Sequence, residues 1–236
     1  DSRLQRRMQP PHKGPRVLWP TEPWEVFGID GYNHVIAGDS SRPHRLYYDC
    51  MEGTNLSTLV ERVCLAESTD GIHWRKPELH VYNRSGSTAN NILLEDSGVS
   101  VFHDPSATSP DAAWIMICSA AAYKSPDAIR WTKLPFKQTS SDDTKPTAHF
   151  DPKLGKYVVY VRRDCCPDGP KCADGDSLCP GRKHYHETRG GQGTGAADRY
   201  IGRCVTSNIS DWQQNVVRPL SASILCVTAV HLTSNG

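Results

Sequence analysis

Four carboxylates stand beside short apolar runs where acid–base chemistry could use them: Glu25, Asp30, Asp104 and Asp143. Cleaving a bond with a poor leaving group at neutral pH takes one carboxyl that holds its proton and a second that is ionised. The environments of such a pair therefore matter more than the letters around them. Other nucleophile and cofactor chemistries find less support. No Gly-x-Ser-x-Gly context surrounds any serine, and Gly190-Gly191-Gln192-Gly193-Thr194-Gly195 lacks the Gly-Lys-Ser/Thr ending of a phosphate loop. The run Cys165-Cys166, Cys172 and Cys179, followed by His184 and His186, offers metal-ligand types. Its spacing matches no Cys-x2-Cys pairing, and the surrounding Pro and Gly fit a disulfide-stapled loop better than a zinc site. No metal or cofactor is expected; whether a calcium ion sits near the carboxylates stays open.

The elements that must position these residues read as strands. Ser68-Thr-Asp70-Gly71-Ile72-His73-Trp74 returns as Ser125-Pro-Asp127-Ala128-Ile129-Arg130-Trp131, and more weakly as Thr206-Ser-Asn208-Ile209-Ser210-Asp211-Trp212. Each copy follows apolar runs of four to six residues rich in Val, Ile and Tyr and bounded by Asp-Pro or Gly, the mark of strands rather than helices. The repeated tryptophans are 57 and 81 residues apart, and the longer gap holds the cysteine-rich insert. Without it the period is about 45 to 50 residues, the size of one four-stranded propeller blade. In such a turn an Asp or Asn would accept backbone N–H groups, a Gly such as Gly71 would permit positive φ, and the Trp would pack between units, so Asp70, Trp74, Asp127 and Trp131 read as scaffold.

The expected fold is thus all-β, a β-propeller with about three blades present. Residues 1–23 are read as an extension and 24–212 as a partial propeller. Its blades fall near 24–75, 90–132 and 143–212, with an insert at 165–198, and 213–236 forms a divergent tail. Three units do not close a ring, so an open edge and poor behaviour in isolation are expected.

Twenty-seven Lys and Arg balance 26 Asp and Glu, with no long run of one sign. Nucleic acid is therefore not an expected partner. No apolar stretch reaches the ~18 residues of a membrane span, so none is expected. Nine cysteines and the sequons Asn55-Leu-Ser57, Asn83-Arg-Ser85 and Asn208-Ile-Ser210 point to an oxidising, secreted setting. Cys50 and Cys64 flank adjacent strands and are candidates for a cross-strand bridge.

The Tyr-Tyr and Trp-Met strands, the Ser-x-Asp-Gly-x-x-Trp turn, Asn90-Asn91-Ile92, Asp143-Thr144 and Phe150-Asp151-Pro152-x-x-Gly155-Lys156-Tyr157 resemble the five-bladed propeller proteins of glycoside hydrolase families 32 and 43. The resemblance runs from about Trp24 to Trp212. It implies a carbohydrate-active protein with three carboxylates converging in an axial funnel. Phe102-His103-Asp104-Pro105 is similar to the Phe-Arg-Asp-Pro signature of family 32, with His for Arg, which would make Asp104 a transition-state stabiliser. Asp151-Pro152 holds the equivalent place in the next unit, so both are alternatively hairpin turns. The Asn-Asp-Pro-Asn nucleophile motif and the Glu-Cys acid motif of that family are absent; Glu25, Asp30 and Asn33 are the polar residues nearest the first unit's opening. Trp24, Tyr32, Asn33, His149 and Arg162 are the candidate sugar contacts. Two other readings remain: a glycan-binding or degenerate propeller without turnover, and a sialidase-like propeller, whose Asp-box the repeated turn resembles with one residue fewer.

Overall fold

The computed structural model describes residues 14–119, 121–135, 145–164, 199–212 and 218–219. Among them the only helical pieces are three single-turn 3-10 segments, Pro23–Glu25, Pro110–Ala112 and Ile209–Asp211. The strands form three antiparallel sheets that follow one another along the chain. Strands β1 (Gly28–Ile29), β2 (His34–Ile36), β3 (His44–Glu52), β4 (Val60–Ser68) and β5 (Ile92–Leu94) make the first. The second is the meander β6 (Ser100–His103), β7 (Trp114–Ile117), β8 (Ala122–Ser125) and β9 (Thr132–Lys133). The third is β10 (Thr147–Asp151), β11 (Lys156–Asp164), β12 (Arg199–Thr206) and β13 (Arg218–Pro219).

Period-two alternation sends side chains to opposite faces and so stacks the sheets. On β7, Met116 joins Tyr47, Val63, Leu65, Val99 and Val101 in a core between the first and second sheets. Its neighbours Ile115 and Ile117 face Ala148, Val159 and Val161 in a core between the second and third. Burying each such side chain contributes roughly 1.5–3 kcal/mol. On β3 the same rule turns Leu46, Tyr48 and Cys50 to the far face of the first sheet, where Trp24 and Leu18 of the N-terminal segment cover them. Cys50 and Cys64 form a disulfide there, with Cα atoms 5.9 Å apart. The two are not directly opposite, since Tyr48 faces Cys64 and Cys50 faces Arg62, and the ladder is irregular at Val63/Cys64.

The innermost strands run side by side. Strand β6 lies against both β2 and β10. At its start, a Cβ on Gly98 would lie 3.3 Å from Lys145 Cα. Further along, the Ala148 amide donates to Ser100 Oγ at 3.3 Å. Past its end, the Tyr157 hydroxyl, on the residue paired with Phe150, donates to Asp104. Strands β6 and β10 are therefore parallel. Successive four-stranded antiparallel meanders stacked face to face, with parallel inner strands, are the blade arrangement of a β-propeller, here open.

The first sheet has five strands, because its inner position is split between β1 and β2, and the second and third have four each. The Asn90-Asn91-Ile92 segment, read as the opening of the second unit, instead supplies the outer strand of the first, and β13 falls within residues 213–236. The repeated turns match in detail. Asp70 Oδ1 accepts the Ile72 and His73 amides, both at 2.8 Å, and Asp127 Oδ1 accepts those of Ile129 and Arg130 at 2.9 and 2.7 Å. Gly71 has φ +73 and its counterpart Ala128 has φ +61. The second turn also fastens the blades, because Tyr47 Oη and Arg45 donate to the carbonyls of Ala128 and Asp127 at 3.0 and 2.8 Å. Among the described residues no helix is long and apolar enough to cross a membrane.

Candidate functional site

The inner strand of the first sheet is interrupted. Residues 30–33 leave the ladder between β1, which ends opposite Cys50, and β2, which starts opposite Tyr47. The interruption exposes the β3 residues it spans to side chains from elsewhere. Within it the Asp30 amide donates to the Asp49 carbonyl at 3.0 Å, and the Asp30 carboxylate caps Gly31 N at 2.5 Å. Asn33 N donates to the Gly31 carbonyl at 3.0 Å, tightening the turn. Asp30 and Tyr32 are half-buried and Asn33 is exposed.

Beneath this turn lies Asp49, 1% exposed. Its place on β3 two residues from Tyr47 puts it on the face toward the second sheet. Oδ2 accepts the Gly98 amide at 2.8 Å, while Oδ1 is buried without a hydrogen-bond partner. Burial, aided by the charges of Glu61, Asp30 and Asp96, pushes this carboxyl up to about 7 against the pull of the Gly98 amide. Glycine at 98 is required twice over: its φ is +70, and a side chain would press on Lys145 and Ser119.

Lys145, two residues before β10, reaches across to donate to the Asn33 carbonyl. Burial lowers its ammonium and the Asp49 charge opposes that shift. Burial also lowers His34, at the start of β2, to about 4, and Lys145 adds to the shift. Tyr123 Oη donates to Asp96 at 2.9 Å, and burial next to that carboxylate raises the phenol. Asp30, Asp49, His34, Asp96 and Lys145 thus gather where the three inner strands begin. Beside them a cleft of about 330 Å³ is lined by Leu59, Glu61, Asp96, Ser97, Tyr123 and Lys133. Among the described residues no three His, Cys, Asp or Glu side chains are grouped to hold a metal ion.

The remaining candidates lie elsewhere. Glu25 is 1% exposed beneath the far face of the first sheet, where Lys76 Nζ pairs with it at 2.5 Å and Tyr48 Oη donates at 2.7 Å. It also accepts the amides of Thr21 and Glu22, so its oxygens are committed to holding the N-terminal segment. Trp24 is buried beside it and donates to Asn91 Oδ1 at 2.8 Å. Asp104 lies past the opposite end of β6. Its Oδ1 accepts both the amide and hydroxyl of Ser106, at 2.9 and 2.6 Å, and its Oδ2 accepts Tyr157 Oη at 2.6 Å. That is a hairpin turn clamped to the next sheet. His149 is exposed on β10, on the face turned away from the second sheet, and stacks on Tyr160 with ring centroids 6.4 Å apart. Arg162 is on β11 opposite Ile201. Asp143, the cluster from Cys165 to Cys179, His184, His186 and the loop at 190–195 lie outside the described residues.

Of the residues singled out in the sequence, Asp30, Tyr32 and Asn33 share one turn; Asp49, His34 and Lys145 were missed. The signal for Asp49 was present: in Leu46-Tyr47-Tyr48-Asp49-Cys50 strict alternation puts a lone carboxylate on the same buried face as Tyr47.

No protein-family model matches the chain, and no curated protein matches it. Several solved structures are similar. One is from the GH130 family of mannoside phosphorylases, described as containing glycoside hydrolases that target β-1,2 mannosidic linkages in Candida mannan (TM-score 0.46, 15% identity, 87% of this chain and 55% of that one). Another is a glycosyl hydrolase from Bacteroides ovatus (TM-score 0.48, 16% identity, 86% and 57%). A third is an N-acetylgalactosamine deacetylase from F. plautii in complex with blood group B trisaccharide (TM-score 0.37, 12% identity, 55% and 44%). The chain spans little more than half the length of the first two.

Proposed function

We propose that this chain is part of a secreted, glycoside-hydrolase-like β-propeller that acts on a carbohydrate at the end where its inner strands begin. The observation that carries the reading is the buried Asp49, raised to about 7 beside the half-buried Asp30. Burial keeps the proton on Asp49 near neutral pH, and the charge of Asp30 adds to that shift. Asp30 is then the carboxylate that meets substrate, and Asp49, buried beneath its turn, is a positioning residue. Tyr32 and Asn33, in the same turn, are the proposed sugar contacts. Asp143, two residues before Lys145 in the sequence, is the third carboxylate of the proposal. The resemblance to families 32 and 43 supplies the substrate class, and the Cys50–Cys64 disulfide supports passage through an oxidising compartment.

The test is hydrolysis of a panel of aryl glycosides by the full chain, its Asp30→Asn variant and its Asp49→Asn variant. The expected result is turnover that Asp30→Asn lowers by about 10²- to 10⁴-fold, with Asp49→Asn retaining turnover but losing the pH dependence near neutrality. Glycan binding with no turnover by any of the proteins would replace the hydrolase reading with that of a binding module.

A further inference from the structure

Two of the three sequons crowd one edge of the molecule. Asn55 sits exposed at the tip of the β3–β4 hairpin, next to Leu56 at 80% exposure. Its Oδ1 accepts the Ser57 amide at 3.0 Å and the Ser57 hydroxyl at 2.5 Å. The sequon hydroxyl thus already touches the carboxamide it must assist, and the carboxamide oxygen is oriented while the tip stays open. Asn83 is exposed at the head of a second tight turn, with Oδ1 accepting Gly86 N at 2.9 Å and Arg84 bridged to Ser87. Arg84 pairs with Glu52, the last residue of β3. Asn55 and Asn83 therefore flank the same end of the first sheet, the end where β1 begins opposite Met51 and where Asp30 follows. Asn208 differs in place and in duty. It follows β12, at the end of the sheets that carries the tryptophan turns, and caps the 3-10 turn that buries Ile209 and Trp212.

We propose that Asn55 and Asn83 are N-glycan acceptors, standing together on the rim of the candidate site. The inference rests on the secretory part of the reading above and not on its catalytic part. The step joins Asn Nδ2 to the anomeric carbon of a diphosphate-linked oligosaccharide. The bond from that carbon to the diphosphate oxygen breaks, the diphosphate leaves with the electron pair, and one Nδ2 proton passes to a base. No other co-reactant is needed. Neither side chain contributes to a core or an ion pair, so a glycan at either tip displaces nothing that holds the sheets.

The experiment expresses the full chain behind a secretion leader in a host that carries this transferase, and maps peptides before and after enzymatic release of N-glycans. The Cys50–Cys64 peptide pair is read in the same digest. The expected result is conversion of Asn to Asp at both 55 and 83 on release. Ser57→Ala and Ser85→Ala, which leave each asparagine in place, should each remove one glycan. A secreted chain with the disulfide formed but with no glycan, with glycan at Asn208 alone, or with glycan at only one of the pair would overturn the assignment. Failure to form the disulfide at all would instead count against the secretory reading on which it stands.

Discussion

The two ends of the inner strands carry buried aspartates of nearly equal exposure, Asp49 at 1% and Asp104 at 4%, with opposite chemistry. At the far end Asp104 has both oxygens engaged, one by Ser106 and one by Tyr157 on the neighbouring sheet. At the near end Asp49 has one amide for one oxygen and nothing for the other, amid like charges. Burial alone therefore does not mark a functional carboxylate; the count of donors around it does. A satisfied carboxylate is a fastener, and an unsatisfied one holds a proton near neutral pH.

The sharpest way to break this contrast is to neutralise one carboxylate at each end. Asp30→Asn should lower kcat/KM by about 10²- to 10⁴-fold, the ordinary worth of a substrate-facing acid or base, with little loss of stability. Asp104→Asn should leave kcat/KM within about twofold of the parent. Equal losses of activity from the two would erase the distinction.

A second test uses proton linkage, with opposite signs for two neighbours at the near end. Asp49 has a folded value near 7, above its unfolded one, so its contribution is present below about pH 4 and is lost as pH rises through 7; it amounts to at most about 4 kcal/mol. His34 has a folded value near 4, below its unfolded one, so its contribution is present above pH 6.5 and is lost as pH falls toward 4, at most about 3 kcal/mol. In the parent these slopes oppose each other between about pH 4 and 6.5 and leave stability nearly flat. Denaturant titrations across that window should show Asp49→Asn losing stability on acidification and His34→Asn gaining it. Parallel slopes would mean that the two groups do not hold the assigned protonation states.

At the far end, Asp104→Ala removes the carboxylate acceptor of Tyr157, leaving it Ser106 Oγ at 3.2 Å, and strips Ser106 of its turn; it should cost about 2–4 kcal/mol by denaturant melting. The smallest effect is expected for Tyr157→Phe, which removes one of the three hydrogen bonds to Asp104, about 1.5–3 kcal/mol for a bond to a charged group. A Tyr157→Phe cost as large as that of Asp104→Ala would show that the turn contributes little and the inter-sheet bond nearly everything.

The tryptophan-ended repeat was legible because its cause is local. Ser68 and Asp70, like Ser125 and Asp127, bond to amides two or three residues away, so the letters and the turn are one fact. The outer strands β5, β9 and β13 were not legible. Two or three residues carry no periodicity, and only pairing with a longer neighbour makes them strands. Asp104 illustrates the intermediate case: its Asp-Pro turn was readable, but its bond to Tyr157, 53 residues away, was not.

By itself the sequence determined the all-β class, the repeat and the turn chemistry, because each follows from alternation or from hydrogen bonds within a few residues. Only the tertiary structure decided which carboxylate keeps a proton. The value near 7 at Asp49 comes from water excluded by the facing sheet and from the charges of Glu61, Asp30 and Asp96, against the pull of an amide 49 residues away, and this arrangement does not exist until the blades stack.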